Sequence, residues 1–296
     1  MDILQFLMAP LAASLILTGI HAYLGVHVVE RGVIFVDLSL AQIAALGATV
    51  ALLMPASGGD PHAPSVHWIG FLFTLLGAAV FSILRSRRAH IPQEAIIGIC
   101  YAVASAATIL ALSKATSESE HLKDMLVGNI LAVSWPEVGR TAFLYALVGI
   151  FHYIFRDKFL LISMNPKLAE QQGVSIRLWD FLFYGSFGLV VTSSVAIAGV
   201  LLVFCYLIVP SVGAMLYASR IGARLAIGWS MGTVVSALGV YLSVRLDLPT
   251  GATIVCTFGG VLLLMAAVRL LPFGALRPQE VRANYRDVAP GSAGEL

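Results

Sequence analysis

The sequence predicts an all-α protein that crosses a membrane eight or nine times. Composition gives the first argument, because 59% of the 296 residues are hydrophobic and only 11% are charged, against about 25% charged residues in a typical soluble domain. The mean hydropathy of +0.91 agrees with this assignment. Apolar runs of about 20 residues, the length that a helix needs to cross a bilayer, give the second argument. The net charge of +2 is small and gives no indication of nucleic-acid binding.

Nine apolar runs can be marked along the chain, and each predicts one membrane-spanning helix. They cover residues 5–26, 33–54, 67–84, 93–112, 138–155, 180–199, 201–218, 225–244 and 251–271. The count falls to eight if the block 180–218 crosses the membrane differently. That block contains Gly199 and Pro210, and such residues within a span indicate tight packing, a kink or a broken helix.

The distribution of Lys and Arg predicts the orientation of the spans. Fourteen of the 18 basic residues lie in alternate loops, and four lie in the opposite loops. Because cytoplasmic loops carry the excess of positive charge, we expect the richer set on the cytoplasmic side and the N-terminus outside. We expect one transmembrane domain, residues 1–276, followed by a polar, disordered cytoplasmic tail, residues 277–296.

The longest internal cytoplasmic connection, residues 156–178, contains the signals of a short helix. Asn165 is suited to be the N-cap, and Pro166 fits the first helical position. About two helical turns follow, as far as Gln172, and Gly173 is a typical helix end. Two interpretations remain: an ordinary structured loop, or a helix on which a cytoplasmic partner docks.

Several short motifs resemble, in the same order, those of a known family. The segment Asn-Pro-Lys-Leu-Ala-Glu-Gln-Gln-Gly-Val at 165–174 is similar to the coupling segment of the metal-ion ABC transporter permeases, which import zinc, manganese or iron. Further stretches that resemble this family are 23–31, 92–98, 199–203, 207–211 and 247–251. Each motif alone is weakly specific, but the resemblance runs in order from about residue 20 to 271, and the ordered set is strong.

The resemblance implies a fold and a set of partners. The fold is the all-helical importer permease also used for cobalamin and siderophores, with two copies forming a homodimer in the bacterial inner membrane. A separate cytoplasmic ATPase would bind the coupling segment, and an extracytoplasmic binding protein would deliver the metal. The coupling residues would be Asn165, Pro166, Ala169, Glu170 and Gly173. The chain has no Gly-x-x-x-x-Gly-Lys-Ser/Thr phosphate loop, so we expect ATP in the partner, and neither enzyme activity nor a cofactor in this subunit.

The second span departs from the family pattern, in which Asp and His stand four residues apart. That spacing places a carboxylate and an imidazole on one helical face, a pair suited to a divalent cation. When the second span is aligned with the family pattern without gaps, Leu38 stands at the position of the family's Asp and Gln42 at the position of its His. Asp37 stands one residue earlier, and it lies about 140° around the helix from Gln42.

Three interpretations of this span remain open. A charged side chain at the bilayer centre costs roughly 2.5 kcal/mol or more, so Asp37 needs a use or a partner. Asp37 can line the transport path and bind the metal, or Ser39 and Gln42 can offer neutral oxygens from one helical face. Alternatively, Asp37 is structural and pairs with Arg31 or with an arginine of another helix. For Gln42 itself we favour a hydrogen bond between helices.

Two histidines near the outer loop 55–66 are further candidate metal ligands. His62 lies within this loop and His67 directly follows it, so either could meet an incoming cation. The alternative is that both are ordinary solvated residues.

Together these observations indicate the permease subunit of an ATP-driven importer of a divalent metal. One alternative is a structural or regulatory membrane protein of the same fold that has lost transport, as the altered Asp and His positions would allow. Another is a secondary transporter driven by an ion gradient. The coupling segment argues against both, because neither function needs a helix that docks to an ATPase.

Overall fold

The computed structural model describes residues 3–54, 63–85, 92–112 and 130–270, and this part of the chain contains helices and no β-strand. The first helices are α1 (Ile3–Arg31), α2 (Val36–Leu52), α3 (Pro64–Leu84) and α4 (Gln93–Leu112). A 3₁₀ helix, Ile130–Ala132, then precedes α5 (Trp135–Ile154), α6 (Arg156–Met164) and α7 (Pro166–Gln171). The remaining helices are α8 (Ile176–Ala198), α9 (Val200–Tyr217), α10 (Ile221–Leu246) and α11 (Thr250–Leu270). The predicted tail, residues 277–296, lies outside the described residues.

Most of these helices are long and apolar enough to cross a membrane. Within the described ranges seven helices meet this condition, and α5 with α6, which are bent by 74° relative to each other, would make an eighth. Helix α2 has 17 residues, about 25 Å of length against a hydrocarbon core of about 30 Å. Each of the nine predicted runs corresponds to one helix when α2 is included, which confirms the all-α, polytopic fold.

Two groups of helices surround the shared core. In the first group, α2 packs against α3 and α4, and α3 packs against α8. In the second group, α1 packs against α9 and α10, and α10 packs against α11. Helix α1 also contacts α5 and α6. The aromatic side chains of Phe183, Tyr184, Phe187 and Tyr206 are fully buried at the centre. Helix α6 packs against the helices α1 and α8.

Helix α1 continues beyond its predicted end at residue 26 as far as Arg31. The sequence suggested an earlier end because polar residues follow residue 26. In the structure these side chains find partners on distant helices: Glu30 pairs with Arg224, and Arg31 pairs with Asp180. Since the charges are neutralised within the protein, the helix does not have to end before them.

Helix α6 was not predicted from the sequence. Its residues Phe159, Ile162 and Ser163 are buried, and their spacing places them on one helical face. That face packs against α1 and α8. The helical conformation here depends on tertiary contacts, which the short and mixed sequence of this segment does not reveal.

The block 180–218 forms two helices separated by a single residue. Gly199 joins α8 to α9 with φ +78° and ψ 159°, a backbone conformation that is essentially restricted to glycine. Of the three possibilities for this block, tight packing, a kink or a broken helix, the structure shows a break at Gly199. The chain thereby changes direction between two buried helices without a loop.

Candidate functional site

The short helix predicted from Pro166 to Gln172 is present as α7, Pro166–Gln171. The Asn165 side chain caps it by accepting a hydrogen bond from the Leu168 amide, with an N–O distance of 3.0 Å, and Pro166 opens the helix. At the other end, the Val174 amide donates to the Ala169 carbonyl and the Gly173 amide donates to the Glu170 carbonyl. This pair of bonds is a Schellman motif, which requires the positive φ of +72° observed at Gly173.

The side chains of α7 divide into an anchoring face and an exposed face. Ala169 is fully buried, so it holds α7 against the body of the protein and offers no surface to a partner. Pro166, Lys167, Leu168, Glu170 and Gln171 are exposed. A partner that docks on α7 would therefore contact this second set of side chains.

Helix α6 connects α7 to the membrane helices through Ser163. The Arg31 Nε donates to Ser163 Oγ at 2.8 Å, and His27 Nδ1 lies 2.8 Å from the same oxygen. Because the Ser163 hydroxyl accepts from Arg31, it can donate its own hydrogen to His27. Both partners are on α1, so the last turn of α6 is fixed directly to the last two turns of α1.

A buried ion-pair network joins the same region to α3 and α8. Asp180 is fully buried, and its carboxylate accepts from Arg31 Nη1 at 2.8 Å and from Arg85 Nη1 at 2.6 Å. The guanidinium carbon of Arg31 also lies 3.9 Å from the ring centroid of Phe183. Sequence reasoning missed Asp180 and Arg85. The available signal was a carboxylate at the start of the apolar run 180–199.

This network corrects one interpretation of Asp37. Arg31, the proposed structural partner, is engaged with Asp180 and Ser163 instead. Asp37 is only 1% exposed and lies in the first turn of α2. Among the described residues, no side chain donates a hydrogen bond to either of its carboxylate oxygens. The positive end of the α2 dipole favours the carboxylate, but the residue remains without a countercharge on the described chain.

Ser39 and Gln42 both face α4. Ser39 Oγ donates to the Ile97 carbonyl at 3.1 Å, and Gln42 Nε2 donates to Thr108 Oγ1 at 3.5 Å. The helix–helix hydrogen bond that we favoured for Gln42 is therefore present. The carbonyl oxygen of the Gln42 side chain is not used in this bond, so it could still face a cation.

The start of α2 receives a further carboxylate from α4. Glu94 Oε1 accepts a hydrogen bond of 2.9 Å from the amide of Phe35, the N-cap residue of α2. Glu94, which lies in the first turn of α4, thus caps the neighbouring helix α2. Asp37 and Glu94 therefore both lie near the beginning of α2.

The candidate metal-binding histidines do not form a metal centre in the described ranges. His67 is exposed at the start of α3 and contacts the Ala63 carbonyl at 3.3 Å, while His62 lies outside the described residues. No group of three or more His, Cys, Asp or Glu side chains suited to a metal occurs in the described chain. His21, His27 and His152 are buried and hydrogen-bonded to other protein groups.

Comparison with known proteins assigns the fold to a family of transporters. The sequence profile of the ABC 3 transport family matches residues 3–269. The chain is 24% identical to the manganese transport system membrane protein MntC of Halalkalibacterium halodurans, covering 85% of this chain and 83% of that protein. It is 26% identical to the probable iron transport system membrane protein of Haemophilus influenzae, covering 85% and 89%.

A solved structure shows the same architecture. The structure of PsaBC from Streptococcus pneumoniae in complex with Fab superposes with a TM-score of 0.70 at 23% identity, covering 88% of this chain and 90% of the other. This likeness shows that the two chains share a fold. The chain belongs to the ABC 3 transport family, and it is a multi-span membrane protein of the ABC transporter permease class.

Proposed function

We propose that this chain is the membrane-spanning permease of an ATP-driven importer for a divalent metal cation. The observation that carries the proposal is the capped helix α7, at the position where the family resemblance places the coupling segment. The metal class comes from the relatives, whose names specify manganese or iron; the family resemblance adds zinc. The metal is cargo rather than a resident cofactor.

The contacts of α7 suggest how a cytoplasmic ATPase would act on the transport path. A force on the exposed face of α7 passes through α6 to Ser163, and from there to His27 and Arg31 of α1. Arg31 is the last residue of α1, and a short turn leads from it to α2. The start of α2 carries Asp37, so movement of α7 has a direct structural route to the candidate transport helix.

We assign the transport path to the beginning of α2. Asp37 is a buried carboxylate without a side-chain donor in the described chain, and Ser39 and Gln42 follow it two and five residues further along α2. A divalent cation in transit would supply the missing positive charge. Oxygen ligands of this kind suit a hard cation such as Mn²⁺ better than a soft one.

The proposed assembly has two copies of this chain in a bacterial inner membrane. A cytoplasmic ATPase would bind at α7, and an extracytoplasmic binding protein would deliver the metal. ATP would be bound and hydrolysed by the ATPase.

The proposal is tested by uptake into proteoliposomes. The chain is reconstituted with its co-purifying ATPase and with the metal-loaded binding protein, and Mn²⁺, Fe²⁺ and Zn²⁺ are measured inside the vesicles by elemental analysis. We expect accumulation of at least one metal with ATP and none with a non-hydrolysable analogue. Accumulation that follows an ion gradient without ATP would instead identify a secondary transporter, and no accumulation under either condition would favour a protein that has lost transport.

A further inference from the structure

Helices α2 and α4 begin side by side. Glu94, in the first turn of α4, accepts a hydrogen bond of 2.9 Å from the amide of Phe35, the N-cap residue of α2. One turn further along α2, Ser39 Oγ donates to the Ile97 carbonyl of α4 at 3.1 Å. The N-terminal turns of the two helices are therefore in contact.

Each of these two turns carries a carboxylate. Asp37 is the second residue of α2 and is 1% exposed, and Glu94 is the second residue of α4 and is half-buried. Because the Cα–Cβ bonds of a helix tilt towards its N-terminus, the Asp37 side chain is directed towards the N-cap residue that Glu94 contacts. Glu94 is also the charged group with which Asp37 interacts electrostatically. The two acidic side chains therefore belong to one site.

Most of the oxygen atoms of this pair lack a hydrogen-bond partner. Both carboxylate oxygens of Asp37 and the Oε2 atom of Glu94 are buried, and no group of the described chain bonds to them. The fourth oxygen, Glu94 Oε1, is bonded to the Phe35 amide. A buried acceptor left unpaired costs about 1–3 kcal/mol, and more if it is charged. The two side chains therefore form an acceptor set that lacks a positively charged ligand.

The helices α2 and α4 supply no basic side chain to this pair. Neither helix contains Lys or Arg, and the basic residues that bracket α2 in the sequence are Arg31 and Arg85. Both are paired with Asp180. The N-terminal ends of α2 and α4 each contribute about half a positive charge, which leaves about one of the two negative charges uncompensated. A cation is therefore the ligand that this charge distribution favours.

We infer that Asp37 and Glu94 together bind one divalent cation where α2 and α4 begin, which makes Glu94 a second ligand of the transport path. The inference rests on the proposed function, since that function supplies the divalent cargo. No third His, Cys, Asp or Glu side chain completes the pair in the described part of the chain. Water would occupy the remaining positions, as it does around hard cations that are held by one or two carboxylates.

The position of the pair is that of a release site. The predicted orientation places the start of α2 at the cytoplasmic side, shortly after Arg31. Binding there has to be weak enough for the cation to leave, and the positive ends of two helices reduce the affinity of the carboxylates for a cation. Oxygen ligands also suit Mn²⁺ better than a soft ion. The site is thus suited to a cation in transit rather than to one that is held permanently.

A second glutamate of the chain shows what capping alone requires. Glu137 Oε2 accepts from the amide and from the hydroxyl group of Ser134 at the start of α5, at 2.8 and 2.7 Å, and Glu137 is exposed. Glu94 also caps a helix through a backbone amide, but its second oxygen is buried without a partner. Capping and solvent therefore account for the surroundings of Glu137, whereas capping accounts for those of Glu94 only in part.

The inference is tested by Mn²⁺ binding to the purified full-length chain, without the ATPase or the binding protein. Free Mn²⁺ is measured by electron paramagnetic resonance during a titration in potassium chloride, which supplies a competing monovalent cation. We expect saturable binding of one Mn²⁺ per chain. Glu94→Gln keeps an oxygen for the Phe35 amide but loses the charge. The affinity should fall at least about tenfold, since even the outer partners of metal ligands contribute about 10–100-fold. Asp37→Asn should have an effect of the same size.

Glu137→Gln is the matched control, because it removes the same charge from a capping glutamate that has no buried unpaired oxygen. It should bind Mn²⁺ like the wild type. Thermal unfolding with and without Mn²⁺ gives a second measurement. Mn²⁺ should raise the melting temperature of the wild type, and it should raise that of Glu94→Gln less at the same concentration. Each variant is compared with its own metal-free sample, so a change in its intrinsic stability does not affect the result.

Wild-type affinity in Glu94→Gln would overturn the inference and leave Glu94 as a cap. Absence of saturable binding by the wild type would overturn it as well. The uptake assay separates these results from the outcome for the proposed function. ATP-driven uptake together with wild-type Mn²⁺ affinity in Glu94→Gln would retain the permease function and reject the shared site. Binding that depends on both carboxylates, without uptake by the complete assembly, would retain the site and reject the importer.

Discussion

At the scale of single residues, two buried carboxylates have opposite surroundings. Asp180 has two arginine partners at 2.8 and 2.6 Å, whereas Asp37 has no side-chain donor among the described residues. A buried carboxylate with its countercharges in place serves a structural role at little net cost. One that lacks them is expected to be retained for a function.

Asp180→Asn should strongly destabilise the protein. The substitution leaves the Arg31 guanidinium, whose side chain is 1% exposed, without a charged partner, and breaking a buried pair costs about 3–5 kcal/mol. The measurement is thermal unfolding of the purified chain in detergent. Asp157→Asn is the control, since the Asp157 side chain is 93% exposed and its contact with Arg156 is 3.7 Å long. Equal melting temperatures for both variants would show that the network contributes nothing to stability.

Asp37→Asn should abolish or strongly reduce ATP-driven metal uptake while the protein assembles normally. The amide keeps the shape of the side chain but removes the charge that would attract a divalent cation. Uptake and co-purification of the ATPase are measured in parallel, with Asp157→Asn again as the control. Wild-type uptake by Asp37→Asn would return this residue to a structural role.

At the scale of the helix, α7 is a unit of six residues that is stabilised from outside itself. Isolated helices of this length are not stable in water. Here the Asn165 cap, the Gly173 motif and the burial of Ala169 together fix the conformation. All three features are required for α7 to present a defined surface to a partner.

Asn165→Ala should loosen the first turn of α7. Loss of an N-cap costs about 1 kcal/mol, which corresponds to roughly fivefold faster exchange of the Leu168 amide hydrogen. Hydrogen exchange read by mass spectrometry gives the rate for this segment. Asn165→Asp keeps an acceptor at the same position and should exchange like the wild type. An unchanged rate in Asn165→Ala would mean that the cap does not stabilise α7.

The helices differ in how far the sequence could predict them. The helix α7 could be located closely because its signals, Asn-Pro at one end and Gly at the other, are local. Neither α6 nor the last turn of α1 could be found, because Ser163 and Arg31 depend on contacts with residues more than 130 positions away. Asp37 was recognised as unusual from its apolar surroundings, but its lack of an arginine partner could be seen only after Arg31 had been placed.

At the scale of the whole molecule, α1 packs on α9 and α10 and is linked to α8 by the Arg31–Asp180 ion pair. It packs closely on α9, where a Cβ atom at Gly25 would overlap the Leu207 carbonyl oxygen and the Ser211 side chain. Small residues at such positions allow two helices to approach within the membrane. The same helix carries Arg31 and His27, which fix α6. Close packing of α1 on α9 is therefore needed if movement of α7 is to reach α2 through α6 and α1.

Gly25→Ala should destabilise the bundle by about 1–3 kcal/mol, because a methyl group forces α1 and α9 apart. Gly19→Ala on the same helix is the matched control, since no other atom lies within 4 Å of the added methyl group. The two variants are compared by thermal unfolding in the same detergent. If Gly19→Ala is the more destabilising of the two, the close approach of α1 and α9 at Gly25 does not determine the stability of the bundle.

The measurement that most directly tests the coupling role of α7 is ATP-driven metal uptake by two variants of Gly173. Proline fixes φ near −65° and removes the amide that bonds to Glu170, so Gly173→Pro cannot form the end of α7, where φ is +72°. Asparagine tolerates positive φ, so Gly173→Asn preserves it. Both variants are reconstituted with the ATPase and the binding protein, and metal uptake and ATP hydrolysis are recorded together. We predict wild-type uptake for Gly173→Asn and no uptake for Gly173→Pro, whereas equal, ATP-dependent uptake by both variants would contradict coupling through α7.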